Sequence, residues 1–273
     1  MTTRDVVLGL WRFDPFALVV VGAALIVWVM TQPRRLSTRA LSFAAASFFF
    51  AVALMSPIGI LADGYLFSAH MLQHLLLLLV VPPLALLGLD VVETSAPRPR
   101  RRAVPAPLGW LMGIGAMWLW HMPLLCNAAA TDPLTHRVQE ISLLAMGTAF
   151  FWPIVGLRRE ERLPPLAGAL YLFTGCLACT ALGILLTFSP VEICSVFAHP
   201  ADALGIVPLL REGWGMSVAR DQQIGGLLMW IPACLVYGAG IVGLLARWYR
   251  QEEGEQQGEG ELGAVDVTRE VAP

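Results

Sequence analysis

Hydrophobic positions in this chain come in long blocks separated by short polar punctuation. The blocks cover about 15–31, 40–60, 66–89, 108–126, 136–156, 166–188 and 222–246. Each approaches or exceeds the roughly 20 residues that carry an α-helix across a bilayer. In hydrocarbon a backbone must satisfy its hydrogen bonds internally, so such blocks become helices. The pattern predicts an all-α fold: a polytopic membrane helix bundle of about seven transmembrane helices within a domain spanning 1–247.

The punctuation has its own chemistry. Ser56-Pro57-Ile58-Gly59 breaks the second block, and Ala62-Asp63-Gly64 forms a short acidic turn before the third. Residues 93–107 hold Arg98, Arg100, Arg101 and Arg102 among prolines and read as a loop. Asp132-Pro133 is a helix-start signal. The connection over 189–220 is rich in Pro and Gly but includes apolar pieces suited to the membrane surface. Residues 248–273, rich in Glu, Gln and Gly, read as a disordered cytoplasmic tail.

Composition agrees with the blocks: 57% hydrophobic and only 14% charged is far from a soluble domain. The net charge of −2, with no phosphate-cradling glycine loop and no basic aromatic stripe, gives no case for nucleic acid. The chain has no lysine, a bias ascribed to the source genome. Arg4, Asp5, Arg12 and Asp14 balance one another, unlike the basic start of a signal peptide, so the first block is expected to be a retained helix. Across seven spans, Arg34, Arg35, Arg39, the 98–102 cluster, Arg158, Arg159, Arg162, Arg247, Arg250 and Arg269 share one side. Arg4, Arg12, Arg137, Arg211 and Arg220 share the other. The richer side is cytoplasmic by the positive-inside rule, placing the N-terminus outside and the C-terminus inside. All five histidines then fall on the outer half.

That half carries the candidate chemistry. His70 and His74 are spaced i, i+4, so their imidazoles project from one helix face. Histidines inside a spanning segment are expected to face the bundle interior. With Met71, and with His121 and Met122 at the end of the fourth block, they form an imidazole and thioether set suited to copper, the thioether favouring Cu(I). The bland alternative is interfacial histidines bonded to backbone, with the methionines as ordinary filler. His136 and Glu140 repeat the i, i+4 spacing and could add a ligand or form a simple polar pair. Asp221 sits where a helix N-cap belongs, ahead of Gln222 and Gln223. Cys176 and Cys179, i and i+3 within a spanning block, read as small interior residues or as a transient Cu(I) thiolate site. Cys126 and Cys194 both fall outside and could form a disulfide, a pairing left open by sequence. No nucleophile arrangement is persuasive, and no enzyme is expected.

The string His70-Met71-Leu72-Gln73-His74, followed by a leucine run and Pro82-Pro83, resembles the CtaG family of cytochrome c oxidase assembly proteins. The likeness continues at Trp120-His121-Met122-Pro123, Phe151-Trp152-Pro153 and Leu186-Thr187-Phe188-Ser189-Pro190, and through Asp221-Gln222-Gln223-Ile224-Gly225-Gly226-Leu227-Leu228-Met229-Trp230. The motifs run in order from the third block to the seventh. The resemblance implies a multi-pass protein of the bacterial inner membrane that serves maturation of a haem-copper oxidase through its copper centres. Its partners would be cytochrome c oxidase subunits, periplasmic copper chaperones and membrane lipid. By the resemblance His70, His74 and His121 are the preferred copper ligands; Met71 or Met122 assisting them, His136 joining the set, and Asp221 and Glu140 ordering the ligands are expectations read from the residues themselves. One departure is clear: family members often carry Glu-His where this chain has Gln139-Glu140. Rival readings are a copper transport or resistance permease and a haem-binding membrane electron carrier.

Overall fold

The computed structural model describes residues 2–31, 38–89, 104–157 and 159–270; at residue 31 and over 255–270 it describes the backbone alone. The regular structure of the described residues is all helical, with no strand among them. Short helix α1 (Thr3–Gly9) begins with a capping box between Thr2 and Asp5. Then follow α2 (Pro15–Thr31), α3 (Thr38–Met55) and α4 (Pro57–Ala62). The second block was expected to form a helix over about 40–60 that ends at the Ser56-Pro57-Ile58-Gly59 break. It breaks at Ser56, whose hydroxyl caps α4, because Pro57 has no N–H to continue the ladder of α3.

The third block forms α5 (Phe67–Leu75), a π-helical turn (Leu76–Val80) and α6 (Val81–Gly88). Pro82 and Pro83 explain the turn. Each would remove a hydrogen bond and press its ring on a carbonyl four residues back, and a wider turn relieves that conflict. The fourth block also divides. Helix α7 (Ala106–Trp120) meets α8 (Pro123–Thr131) at a 74° bend. One helix over 108–126 and a loop over 127–135 were expected. Pro123 forces an extended Met122, and the chain restarts as a helix in a new direction. Helix α9 (Pro133–Val155) is capped by Asp132, whose carboxylate accepts the Thr135 N–H at 2.8 Å.

Helices α10 (Pro165–Phe188) and α11 (Val218–Glu270) form the most extensive pair. The backbone of α11 remains helical across residue 247, where composition sets the start of the tail; Glu and Gln are good helix formers. Among the described residues, five helices are long and apolar enough to cross a membrane, or six if the bent α7–α8 pair is one span. Helix α2 is apolar over Pro15–Met30 but shorter than those. The arginines at 34–35, 98–102 and 158, on which the expected orientation leans, lie outside the described residues.

Small residues let the spans approach closely, the usual device of membrane bundles. A Cβ on Gly183 of α10 would sit 2.6 Å from that of Trp230 on α11, and one on Gly113 of α7 would sit 2.6 Å from that of Phe150 on α9. The main core runs through Leu77, Leu79, Met117, Leu143, Leu172, Leu186 and Met229. A second apolar cluster joins Val6 of α1, Leu10 just beyond it, Leu61 of α4, Tyr65, and Ile206 and Leu210 of the 189–217 segment. It forms a cap over the end of the bundle where α5 begins.

Candidate functional site

Helix α5 starts beneath that cap, and its first N–H groups find no partner on their own segment: Leu66, at the N-cap, supplies no side-chain bond. Asp221 of α11 supplies it. Its carboxylate accepts the Phe67 N–H at 2.9 Å, the Ser68 N–H at 3.0 Å and the Ser68 hydroxyl at 2.6 Å. Asp221 was expected to cap its own helix. Instead α11 begins at Val218, so Asp221 lies inside its first turn and caps α5. The next turn of α5 carries His70.

Four imidazoles gather there. The ring centroids of His70 and His74 are 4.2 Å apart, those of His74 and His121 5.3 Å, and those of His70 and His136 5.9 Å. They come from α5, the α7–α8 corner and the first turn of α9. At that corner His121 directs Nε2 to the Met71 sulfur at 3.0 Å and Nδ1 to the Met117 carbonyl. Met71 is fully buried, whereas Met122 is 53% exposed. The extended backbone demanded by Pro123 separates Met122 from its neighbour's ring. His199, in the 189–217 segment, is exposed and does not join the cluster.

A charged network adjoins the rings. His136 Nε2 lies 3.1 Å from Asp63 Oδ1 and 3.2 Å from Glu140 Oε1. Glu140 Oε2 accepts from Arg137 at 2.6 Å, and Arg137 also donates to Asp14 at 2.8 Å. Arg12 pairs with Asp63 and donates to the Leu54 carbonyl at 2.9 Å. Gln73 bridges Glu140 at 3.2 Å and the Ala53 carbonyl at 3.1 Å. Burial pushes the Asp14 carboxyl up, but the Ala17 N–H and the Arg137 guanidinium outweigh it and hold its pKa below the usual 3.8. Asp63, Asp14, Arg12 and Gln73 were not singled out by sequence reasoning. The acidic turn before the histidine helix was the one signal for Asp63.

Neither ring nitrogen of His70 or His74 makes a well-formed hydrogen bond, although the Ala62 backbone lies beside His70 and the Gln139 amide beside His74. An unsatisfied buried polar group costs about 1–3 kcal/mol. Several in one place need a compensating purpose. Imidazole nitrogens and a thioether are a donor set for a soft or borderline cation. Among the described residues no three His, Cys, Asp or Glu groups converge on one point that would hold a metal.

The cluster is covered. The Phe197 ring lies 5.3 Å from that of His70 and 5.8 Å from that of Phe67. Its segment is tied to α8 by the Cys126–Cys194 disulfide, which settles the pairing sequence left open. Asn127 Oδ1 accepts the Val196 N–H at 3.0 Å, and Arg211 donates to the Phe197 carbonyl at 2.5 Å. The C-x-x-C pair does not act together. Cys176 meets Cys234 of α11, sulfur to sulfur at 3.3 Å, and Cys179 donates to the Met229 carbonyl at 3.1 Å.

Comparison with known proteins gives a family. The pattern described as cytochrome c oxidase caa3 assembly factor matches residues 23–251. An uncharacterised protein of Mycobacterium leprae is 28% identical over 280 aligned residues, covering 89% of this chain and 40% of that protein. An uncharacterised protein of Mycobacterium bovis is 25% identical over 242, covering 74% and 33%. The chain thus spans well under half the length of these curated relatives. No solved structure matches.

Proposed function

The chain belongs to the cytochrome c oxidase caa3 assembly factor family, and from that premise we propose that it accepts and hands on copper, as Cu(I) cargo, during maturation of the oxidase metal centres. The observation that carries the reading is the buried row of His70, His74 and His121, with the Met71 sulfur against His121 and the nitrogens of His70 and His74 lacking well-formed partners. Imidazole and thioether donors fit Cu(I), and neutral ligands suit a site sunk among apolar helices. Low coordination favours release, which a carrier needs and a closed cage would oppose. Asp221 holds the first turn of α5 so that the two histidines keep their face, and Glu140 holds His136. No chemical turnover belongs to this role.

In this proposal the bundle sits in a bacterial inner membrane with seven spans, α2 included, its N-terminus outside and its C-terminus inside. The Cys126–Cys194 disulfide supports that orientation, because such bonds persist in oxidising compartments. Oxidase subunits would receive the metal, and periplasmic copper chaperones would supply it. His70 and His74 lie side by side on one helix, so they cannot take opposite faces of a haem; the electron-carrier reading would need His74 with His121.

The test is the copper content and Cu(I) affinity of the detergent-solubilised protein beside a His70→Ala/His74→Ala variant, with an optical spectrum of each. Stoichiometric copper in the wild type, lost in the variant and without haem bands, is the expected result. Copper in neither protein would end the carrier reading and leave the histidines as part of a scaffold for oxidase assembly.

A further inference from the structure

Of the members of the histidine cluster, His70 is fully buried, His74 is 1% exposed and His121 is 5% exposed. Phe197 lies over His70 and is itself held by the disulfide-tied segment. A cation arriving from solvent therefore cannot meet these rings first. The polar side chains beside them that do reach solvent are Asp63, Arg137 and Arg12, at 34%, 32% and 28% exposed, and Asp63 is the one acid among the three; His136, 9% exposed, sits directly behind Asp63. Asp63 occupies the turn between α4 and α5, where Gly64 takes a φ of +93° that a side-chain-bearing residue rarely adopts. Arg12 holds one carboxylate oxygen and leaves the other 3.1 Å from His136 Nε2.

We propose that Asp63 and His136 form an outer acceptor site for a soft monovalent cation, the first of a series of sites that ends at His121 and Met71. The inference rests on the carrier reading above. From His136 the series runs to His70, His74 and His121 through successive ring separations of 5.9, 4.2 and 5.3 Å, and then to the Met71 sulfur at 3.0 Å. Each ring is thus a direct neighbour of the next, with no side chain needed between them to relay an ion. The donors change along the way, from oxygen with nitrogen at the surface, to nitrogen, to nitrogen with sulfur. Soft thioether donors hold a d10 monovalent ion better than carboxylate does, so retention rises inward. Asp63 contributes chiefly charge: it draws the cation in and does not keep it.

A carboxylate acting in this way controls rate and not capacity. The probe is Ag(I) nitrate in chloride-free buffer, with uptake followed by stopped-flow tryptophan fluorescence and final stoichiometry by elemental analysis. Asp63→Asn is expected to slow uptake about tenfold at low ionic strength, the lower end of electrostatic steering effects. The final stoichiometry is unchanged, the deficit narrows as salt is raised, and Asp63→Glu restores the rate. Arg12→Gln separates steering from structure. It breaks the same ion pair but removes a positive charge, so uptake stays equal or becomes faster. Wild-type uptake by Asp63→Asn at low salt would overturn the proposal, as would slowing by Arg12→Gln equal to that by Asp63→Asn. If the wild type binds Ag(I) and Cu(I) and loses both in His70→Ala/His74→Ala while Asp63→Asn is unaffected, only the acceptor site falls. If the wild type binds neither ion, the carrier reading falls and takes the acceptor site with it.

Discussion

Asp221 and Ser68 lie 153 positions apart in the chain and are joined by two hydrogen bonds, from the Ser68 N–H at 3.0 Å and from its hydroxyl at 2.6 Å. One helix thus completes the start of another, and the completed helix carries His70 and His74. Losing a cap costs about 0.5–2 kcal/mol, and stranding buried donors adds about 1–3 kcal/mol. Asp221→Ala should therefore lower stability by about 2–4 kcal/mol, with Asp221→Asn between it and the wild type. Thermal unfolding in detergent followed by circular dichroism reads this, and an unchanged midpoint in Asp221→Ala would remove the cap from the account.

The disulfide makes a different kind of prediction. Cys126 and Cys194 close a long loop, their Cα atoms 5.9 Å apart. Breaking such a link costs about 2–5 kcal/mol. Cys126→Ser, Cys194→Ser and the double variant should lose equal amounts, and a reductant should bring the wild type to the same midpoint. Additive losses would show that the sulfurs act separately.

Asp14 gives the pH dependence. Its folded pKa lies below the usual 3.8 because the Ala17 N–H and Arg137 together outweigh burial. The stability it contributes is complete above the unfolded value and is lost as pH falls through the folded one. The thermal midpoint of the wild type should fall as pH drops below about 4, and the fall should be shallower in Asp14→Asn. Parallel curves for the two proteins would exclude Asp14 as the source.

Met71 and Met122 can be told apart. Met71→Leu keeps volume and removes the thioether beside His121. Under the carrier reading Cu(I) affinity should fall at least about tenfold, equivalent to about 1.4 kcal/mol. Met122 is 53% exposed, so Met122→Leu should bind Cu(I) as the wild type does. Competition with a chromophoric Cu(I) chelator measures both, and the reverse ranking would contradict the geometry.

The α10–α11 contact offers a paired test in glycine. A Cβ at Gly183 would meet the Trp230 Cβ at 2.6 Å, while one at Gly238 would meet nothing within 4 Å. Gly183→Ala should destabilise by about 1–3 kcal/mol through overfilling. Gly238→Ala should be neutral or gain up to about 1 kcal/mol of helix propensity. Similar midpoints for the two variants would mean that α10 and α11 separate easily.

The helical class and the membrane character were legible because apolar blocks of this length admit few alternatives. The i, i+4 spacing also brought His70 and His74 correctly onto one face. Kinks were harder. Pro57 marked the break at Ser56, but block length hid the one at His121, although Pro123 marks it. The site was legible only along single helices. Nothing local to Asp221 indicates that it caps α5, and nothing local to Met71 or Met122 says which reaches His121. Asp63 looked like a loop residue because its meaning comes from His136 and Arg12, far away in the chain. Contacts between distant segments depend on helix rotation and tilt, which hydropathy does not encode.

The π-helical turn at Leu76–Val80 stands between the histidine-bearing half of its span and the half anchored by close contacts, Pro82 against Gly147 and Gly88 against Phe43. Each residue of an α-helix advances about 100° around the axis. The turn therefore acts as a phase offset, allowing two ends of one span to face different neighbours. Deleting a single leucine there would leave hydropathy almost untouched. It would also swing His70 and His74 around the axis relative to the anchored half. In an alignment, a one-residue gap in this leucine run would be a change of facing and not a neutral indel: the length of the run, more than its composition, sets where the imidazoles point.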